Sequence, residues 1–222
     1  MPQVNSQSAL ESFRSAAASG EPAPAAVAIA AVSASFALGL LAKVAVVSSR
    51  HRQFAGYADK LSSLVEVSTS ESKQMLQIAE KDVAAFEAYM RSQRLPRSTD
   101  RERDARQRAV EQALREAIEI PIAAARAAAK GLDLCSAASA ATHVAVLADL
   151  GSAASLLASA LRIFLLCADS NIRQFAPDVA PFRAILAERS EWEPRAYRQA
   201  DAVLQHVTAA LNSFPGKVAT NS

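Results

Sequence analysis

From Ala25 to Ala42 the chain reads AAVAIAAVSASFALGLLA, without one charged residue. A helix built from it is apolar all round, so it belongs either at the centre of a large soluble bundle or in lipid. Its content favours the bundle. Alanine dominates over leucine and isoleucine, Ser33 and Ser35 interrupt the run, and Lys43 follows before Val44 to Val47 resume it. The stretch also begins too far from Met1, and without leading basic residues, for an ordinary signal peptide. The expectation is a buried core helix and no membrane.

A central apolar helix needs amphipathic neighbours, and the remaining sequence supplies them. Only six glycines, abundant Ala, Leu, Glu, Arg and Gln, and little Ile, Thr or aromatic content predict an all-α protein. No Pro/Gly/Ser-rich linker divides the chain, so residues 1–222 read as one domain with a frayed tail over 215–222. Periodicity predicts about eight helices, in a bundle of long antiparallel members, near 6–19, 25–49, 55–92, 99–131, 133–146, 149–172, 179–188 and 193–213. Pro22 and Pro24 start the second helix and Leu95-Pro96 stops the third. Ser98-Thr99-Asp100 followed by Glu102 forms a capping signal for the fourth, which Pro121 should kink. Pro177, Pro181 and Pro194 punctuate the C-terminal part.

A formal charge of +2 with acids and bases interleaved gives no concentrated basic face, which argues against nucleic acid as a partner. Cys135 and Cys167 lie in apolar helical sequence without metal-ligand spacing. They read as buried small hydrophobes of a reduced compartment, and the cytoplasm is expected.

The segment from Ala79 to Arg106 carries the carboxylate most in need of explanation. Counted on a helical period, Leu76, Ala79, Val83, Phe86 and Met90 form a buried stripe, and Asp82 falls at its edge. There it either reaches solvent or pairs with Arg or Lys, or it is functional. Desolvation favours the protonated form, which yields a carboxyl group able to give and take protons near neutral pH. His51, in Ser-Ser-Arg-His-Arg at the end of the apolar helix, reads as a cap suited to the helix dipole or as a ligand contact. His143 stands alone among apolar residues, as a core or helix-end histidine does. Asp149 precedes Leu150-Gly151-Ser152 as an N-cap or first-turn acid, and Asn171 follows a run that is apolar from Ile163 to Ala168. There is no glycine-rich phosphate loop, no Cys/His metal constellation and no serine-nucleophile elbow. Neither a metal nor a cofactor is expected.

Several of these residues recur in one pattern: Asp82-Val83-x-Ala85-Phe86 with Met90, then Leu95-Pro96-Arg97, Thr99-Asp100 and Arg106, then Glu111, Ala113-Leu114 and Pro121. It resembles the cyclodeaminase/cyclohydrolase family, which contains the cyclodeaminase domain of formimidoyltransferase-cyclodeaminase and the bacterial methenyltetrahydrofolate cyclohydrolases. The resemblance runs from Phe13 to about Asn171, through Pro22, Pro24, Phe54, Asp149, Gly151, Arg162 and Asn171. It implies an all-helical homodimer acting on a small molecule, a one-carbon-substituted tetrahydrofolate, as substrate. Cyclodeaminases close the 5-formimidoyl form to the 5,10-methenyl form with loss of ammonia, and cyclohydrolases open the methenyl form with water to 10-formyltetrahydrofolate. The resemblance further implies that Asp82 is the acid/base, that the basic cluster Arg50, His51, Arg52 receives the folate glutamate tail, and that Phe86, His143, Asp149, Arg162 and Asn171 are further substrate-binding candidates.

The departures from that pattern concern the pocket. Relatives carry Pro-Thr-Pro-Gly-Gly-Gly where this chain has Pro22-Ala23-Pro24-Ala25-Ala26-Val27, so methyl groups occupy space that glycines leave to a ligand. Relatives favour asparagine where Val46 and Cys167 stand, and a Gly-Asn-x-Asn-x-x-Ser-Asp run where this chain reads Thr142 to Asp149. Two classes therefore remain open: an enzyme using Asp82 on a folate, or on another substrate undergoing ring closure, ring hydrolysis or deamination, and a non-catalytic helical dimer that kept only the fold.

Overall fold

The computed structural model describes residues 6–175 and 182–213, and every regular element among them is helical. In chain order the α-helices are α1 (Ser6–Ala17), α2 (Ala26–Ser49), α3 (Ala58–Gln93), α4 (Asp100–Ala138), α5 (Leu147–Phe175) and α6 (Arg183–Asn212), with short 3-10 turns at Arg52–Tyr57, Ser139–Ala141 and Val144–Val146. The prolines at 177 and 181, the expected helix start at 179 and the tail at 215–222 lie outside the described residues.

The uncharged segment is the core helix. Ala30, Ala31, Ala34, Ala37, Leu38, Leu41, Val44 and Ala45 of α2 have no solvent exposure. It packs along α3 and α5, while α3 and α5 both pack along α4, so four helices form a ring with α2 and α4 across its diagonal. Short connections make successive members antiparallel. α6 lies across α4 and α5, tied to them by Arg126–Glu188 at 2.6 Å, Arg195–Asp133 at 2.7 Å and Arg189–Asp169 at 2.5 Å. By length and composition alone, Ala26–Ser49 and Val144–Arg173 could each cross a membrane; about half of each apolar window (56% and 50%) is buried inside the bundle, as a core helix requires.

Two expected boundaries fall elsewhere. In place of helices at 99–131 and 133–146, α4 continues to Ala138 and α5 starts at Leu147. Gly131, where the expected fourth helix stops, is a packing residue: a Cβ there would lie 2.9 Å from Leu157 Cδ1 and 3.4 Å from Leu38 Cδ2. Its missing side chain lets α4 approach α5 and α2. Likewise the expected helices at 179–188 and 193–213 are, within the described residues, the single α6, which continues through Pro194. Ser190 and Pro194 are exposed, so water can take up the carbonyl that the proline leaves unbonded.

One local signal formed as read. Thr99 Oγ1 accepts from the Glu102 N–H at 3.2 Å while Glu102 Oε2 accepts from the Thr99 and Ser98 N–H groups at 2.9 and 2.8 Å, a reciprocal capping box. Pro121 sits inside α4, fully buried. A proline there deprives the carbonyl four residues back of its helical donor. Asn171 of α5 replaces it, donating from Nδ2 to the Ala117 oxygen at 2.7 Å.

The buried face of α3 differs from the expected stripe. Leu76 and Met90 are 45% and 38% exposed. The seam that faces the core is Leu61, Leu64, Ser68, Glu71, Met75, Ile78, Asp82, Ala85, Tyr89 and Ser92, stepping alternately three and four residues. Counting large apolar side chains picked the neighbouring row, of which Ala79 and Val83 are half-buried beside Phe13 and Ala16 of α1. The true seam tolerates polar groups because partners meet them across the interface: Ser72, beside it, bonds to the Ser35 hydroxyl at 2.9 Å and to the Ser35 carbonyl at 3.0 Å, and Glu71 meets Lys130 at 2.5 Å.

Candidate functional site

Asp82 thus lies on the seam of α3 and not at its edge, at the level where α2 begins. The outer helices α3 and α4 run past the start of α2, and the space between them is a cavity of about 260 Å³. Its walls are Pro22, Ala23, Ala25, Ala26 and Val27 at the head of α2, Asp82, Ala85, Phe86 and Tyr89 on α3, Leu114 and Ala117 on α4, and Cys167 and Asn171 on α5. Asp82 is its one charged wall residue.

Asp82 has no hydrogen bond or ion pair among the described residues, and burial alone pushes its carboxyl from 3.8 up to about 6. Near neutral pH both protonation states are therefore populated, as an acid/base requires. Cys167 shares the cavity. Its thiol is raised by burial first and by the negative charge of Asp82 second, so it stays protonated beside the carboxylate. Asn171 is held by its bond to Ala117, and that bond fixes which way its amide points. Phe86 and Tyr89 supply aromatic wall, and the remainder is methyl and methylene.

Of the residues singled out in the sequence, the structure gathers Asp82, Phe86 and Asn171 around the cavity, along with Pro22, Ala25, Ala26, Val27 and Cys167. It does not bring Arg50, His51, Arg52, His143, Asp149 or Arg162 there within one chain. Arg50, His51 and Arg52 lie beyond the far end of α2, a helix of 24 residues, or roughly 36 Å long. At that end the His51 and His143 rings stack at 3.5 Å, nearly parallel, and the His143 N–H donates to the buried Ser48 hydroxyl at 2.9 Å. His143 Nδ1 accepts from the Ala145 N–H at 3.2 Å, so both histidines serve the helix ends. Asp149, in the first turn of α5, pairs with Lys43 at 2.7 Å. Arg162 lies over the Tyr197 ring at 5.3 Å, against α6. Their isolation follows from antiparallel packing, which separates the two ends of every helix however close two residues stand in sequence pattern. Tyr89, Leu114 and Ala117 went unrecognised; Tyr89 stands seven residues after Asp82 on the seam, a signal readable once the seam is known.

The formiminotransferase-cyclodeaminase family model matches residues 9–191, most of the chain. This chain belongs to that family. It is 26% identical over 194 residues to methenyltetrahydrofolate cyclohydrolase of Methylorubrum extorquens, covering 85% of this chain and 93% of that one. It is 29% identical over 120 residues to formimidoyltransferase-cyclodeaminase of Sus scrofa, where the match spans 54% of this chain and only 22% of that longer protein. Among solved structures, formiminotetrahydrofolate cyclodeaminase of Thermotoga maritima superposes with a TM-score of 0.74 over 91% of this chain and 95% of its own, at 18% identity, a likeness of fold. The cavity at Asp82 lies within the span that the family model covers.

Proposed function

We propose that this family member is a cyclohydrolase or cyclodeaminase of one-carbon-substituted tetrahydrofolate, with Asp82 as its acid/base. The observation that carries the reading is an unpartnered carboxyl, raised to about 6, in the wall of a mostly apolar cavity. The cavity contains no cation to pin Asp82 in its charged form, so the carboxylate is free to accept a proton and return it.

In the hydrolytic direction the methenyl carbon sits between two nitrogens, and water adds to it. Asp82 takes the proton from the attacking water, leaving a tetrahedral carbon that bears a hydroxyl. It then delivers that proton to the departing nitrogen as the carbon–nitrogen bond breaks, and the hydroxyl releases its own proton to solvent as it becomes the formyl carbonyl. In cyclodeamination N10, outside the pterin ring, attacks the formimidoyl carbon carried on N5; Asp82 carries the N10 proton to the imino nitrogen, and with one more proton from solvent that nitrogen leaves as ammonia. Both sequences use one carboxyl group in alternating roles, and water and ammonia make similar demands on it. Asn171, with its amide oriented by Ala117, provides a hydrogen-bonding group of fixed orientation in the same cavity wall. The site lies in a single-domain helical protein read as cytoplasmic.

The test uses 5,10-methenyltetrahydrofolate. The substrate should raise the melting temperature of the wild type, and Asp82→Asn should cut turnover by about 10² or more with the fold intact. Wild-type rates in that variant would remove Asp82 from the chemistry, and no thermal shift at saturating ligand would remove folate. A second reading, a non-folate substrate for the same acid/base, draws on the methyl groups of Ala25, Ala26 and Val27 and the thiol of Cys167 in the cavity wall. They leave fewer polar groups to bind a pterin, and the absence of a folate shift would favour that reading.

A further inference from the structure

An asparagine amide offers donors at one end and an acceptor at the other, and a half-turn of the side chain exchanges them. In the Asp82 cavity that choice is already made for Asn171. Pro121 lies inside α4 with its ring fully buried. It has no N–H, so the Ala117 carbonyl one turn earlier lacks the donor that an α-helix supplies. Asn171 Nδ2 donates to that carbonyl at 2.7 Å. A carbonyl oxygen only accepts, so the nitrogen must face α4 and Oδ1 must face away from it. Oδ1 has no hydrogen bond among the described residues, yet it is not sealed in as the orphaned Ser68 hydroxyl is. Asn171 and Ala117 both belong to the cavity wall, which leaves Oδ1 there as an open acceptor. Asp82 is near: its charge is felt by the Cys167 thiol, one turn before Asn171 on the same wall of α5.

We propose that Pro121 is a positioning residue for the reaction at Asp82: by leaving Ala117 without a helical donor it locks Asn171 as an acceptor, and Asn171 Oδ1 holds the second hydrogen of the water whose first hydrogen Asp82 removes. The inference rests on the acid/base reading of Asp82. Water brings two hydrogens into a mostly apolar space, where an O–H without an acceptor is costly. Among the wall side chains, Asp82 receives one. For the other, the Cys167 thiol is a weak acceptor and the Tyr89 hydroxyl has a hydrogen of its own to place. Oδ1 has none. With both hydrogens held, a lone pair of the water is aimed at the methenyl carbon. As the water oxygen bonds to that carbon, the carbon–nitrogen π pair withdraws to nitrogen and one hydrogen passes as a proton to Asp82. The other stays on the new hydroxyl, bonded to Oδ1, until the hydroxyl releases it to solvent as the formyl carbonyl forms. A donating amide in the same place would bond the lone pair instead and blunt the nucleophile. Pro121 itself stands outside the wall, so it acts only through Asn171.

Two measurements separate the locking of the amide from its use. In NMR spectra of isotopically labelled full chain, the side-chain amide protons of Asn171, identified by their loss in Asn171→Ala, should exchange with solvent more slowly than those of exposed Asn212. Pro121→Ala and Pro121→Val should bring them towards the Asn212 rate. Both variants restore the backbone N–H, one with a smaller and one with a slightly larger side chain than the ring, so an effect they share belongs to the N–H and not to packing. Turnover of 5,10-methenyltetrahydrofolate should fall about tenfold in both, the worth of one hydrogen bond. The loss should lie in kcat with KM unchanged and the helical circular dichroism kept. Asn171→Ala should lose about as much, and adding Pro121→Ala to it should lose nothing further, because both act through one amide. Exchange as fast as that of Asn212 in the wild type, or unchanged in both Pro121 variants, would overturn the locking. Faster exchange with kcat retained, a loss carried by KM, or losses that multiply in the double variant would overturn the role with water. Opposite effects of Ala and Val would make Pro121 a packing residue. If the wild type ignores this folate or Asp82→Asn keeps its rate, the functional reading falls and takes the role with water with it, while exchange still decides the locking.

Discussion

Glu71 and Asp82 lie on one seam of one helix, three turns apart, and the bundle treats them in opposite ways. Glu71 is 8% exposed and meets Lys130 of α4 at 2.5 Å. Asp82 is less deeply buried and meets nothing. At the Glu71 level α2 fills the ring and a cation closes the polar gap. At the Asp82 level α2 is only starting, and the gap is left as a cavity. A buried carboxylate with a partner is architecture; one left without a partner, in a cavity, costs stability, and on the proposed reading that cost is what keeps it available as an acid/base.

The largest effect that tests this contrast is catalytic. Loss of activity in Asp82→Asn should be about 10² or more, and the wild-type profile should show a limb with midpoint near the Asp82 value of about 6 that the variant lacks. Where the carboxylate is the form that starts the reaction, rate falls as pH drops through that midpoint. A profile unchanged by the substitution would erase the contrast.

The next effect is on stability and has the opposite sign. Asp82 moves from 3.8 unfolded to about 6 folded, so between those values the folded state holds the proton more tightly. Stability from this group is greatest below pH 3.8, falls as pH rises towards 6, and stays at its lowest above. The shift corresponds to at most about 3 kcal/mol, and partial exposure reduces that to roughly 1–2 kcal/mol. Denaturant titrations should find Asp82→Asn more stable than wild type by that amount at pH 7, with the difference fading below pH 4. At Glu71 the prediction reverses: Lys130→Ala should cost roughly 1–2 kcal/mol by stranding a buried carboxylate, while kcat stays unchanged. A loss of activity there would mean that the two levels are coupled.

The smallest effect concerns the other end of the cavity wall. Asn171→Ala should cost roughly 1–2 kcal/mol because the Ala117 carbonyl loses its donor. In a Pro121→Ala background, where the backbone N–H of residue 121 can serve that carbonyl, the cost should fall by half or more. Equal costs in both backgrounds, measured by chemical denaturation, would break the link between the proline and the asparagine.

What the sequence disclosed follows from the range of each interaction. The all-helical class, the core role of Ala25 to Ala42 and the Thr99–Glu102 cap depend on composition or on residues within one turn, and all were legible. The surroundings of Gly131 and Pro121 were not legible because they come from afar: Leu157 and Leu38 fill the space beside the glycine, and Asn171 repairs the ladder that the proline opens. The seam of α3 was misread by one row because its members include Ser68, Glu71 and Asp82, whose presence makes sense only beside what faces them. Asp82, Phe86 and Asn171 were found by pattern and do meet. Arg50, His51, Arg52, His143, Asp149 and Arg162 were found the same way and do not meet them, because pattern carries no information about which end of a helix a residue occupies in space.

The late start of α2 has one more consequence. With α3 at 36 residues and α4 at 39 against 24 for α2, the chamber is bounded below by the end of a plug and not by a wall of its own. Lengthening or trimming the Pro22–Val27 lead-in would raise or lower that plug while the three long helices stay as they are. Chamber depth is then set at a single helix entrance, the six residues Pro22 to Val27, apart from the scaffold and from Asp82, and on the proposed reading substrate size would be selected there.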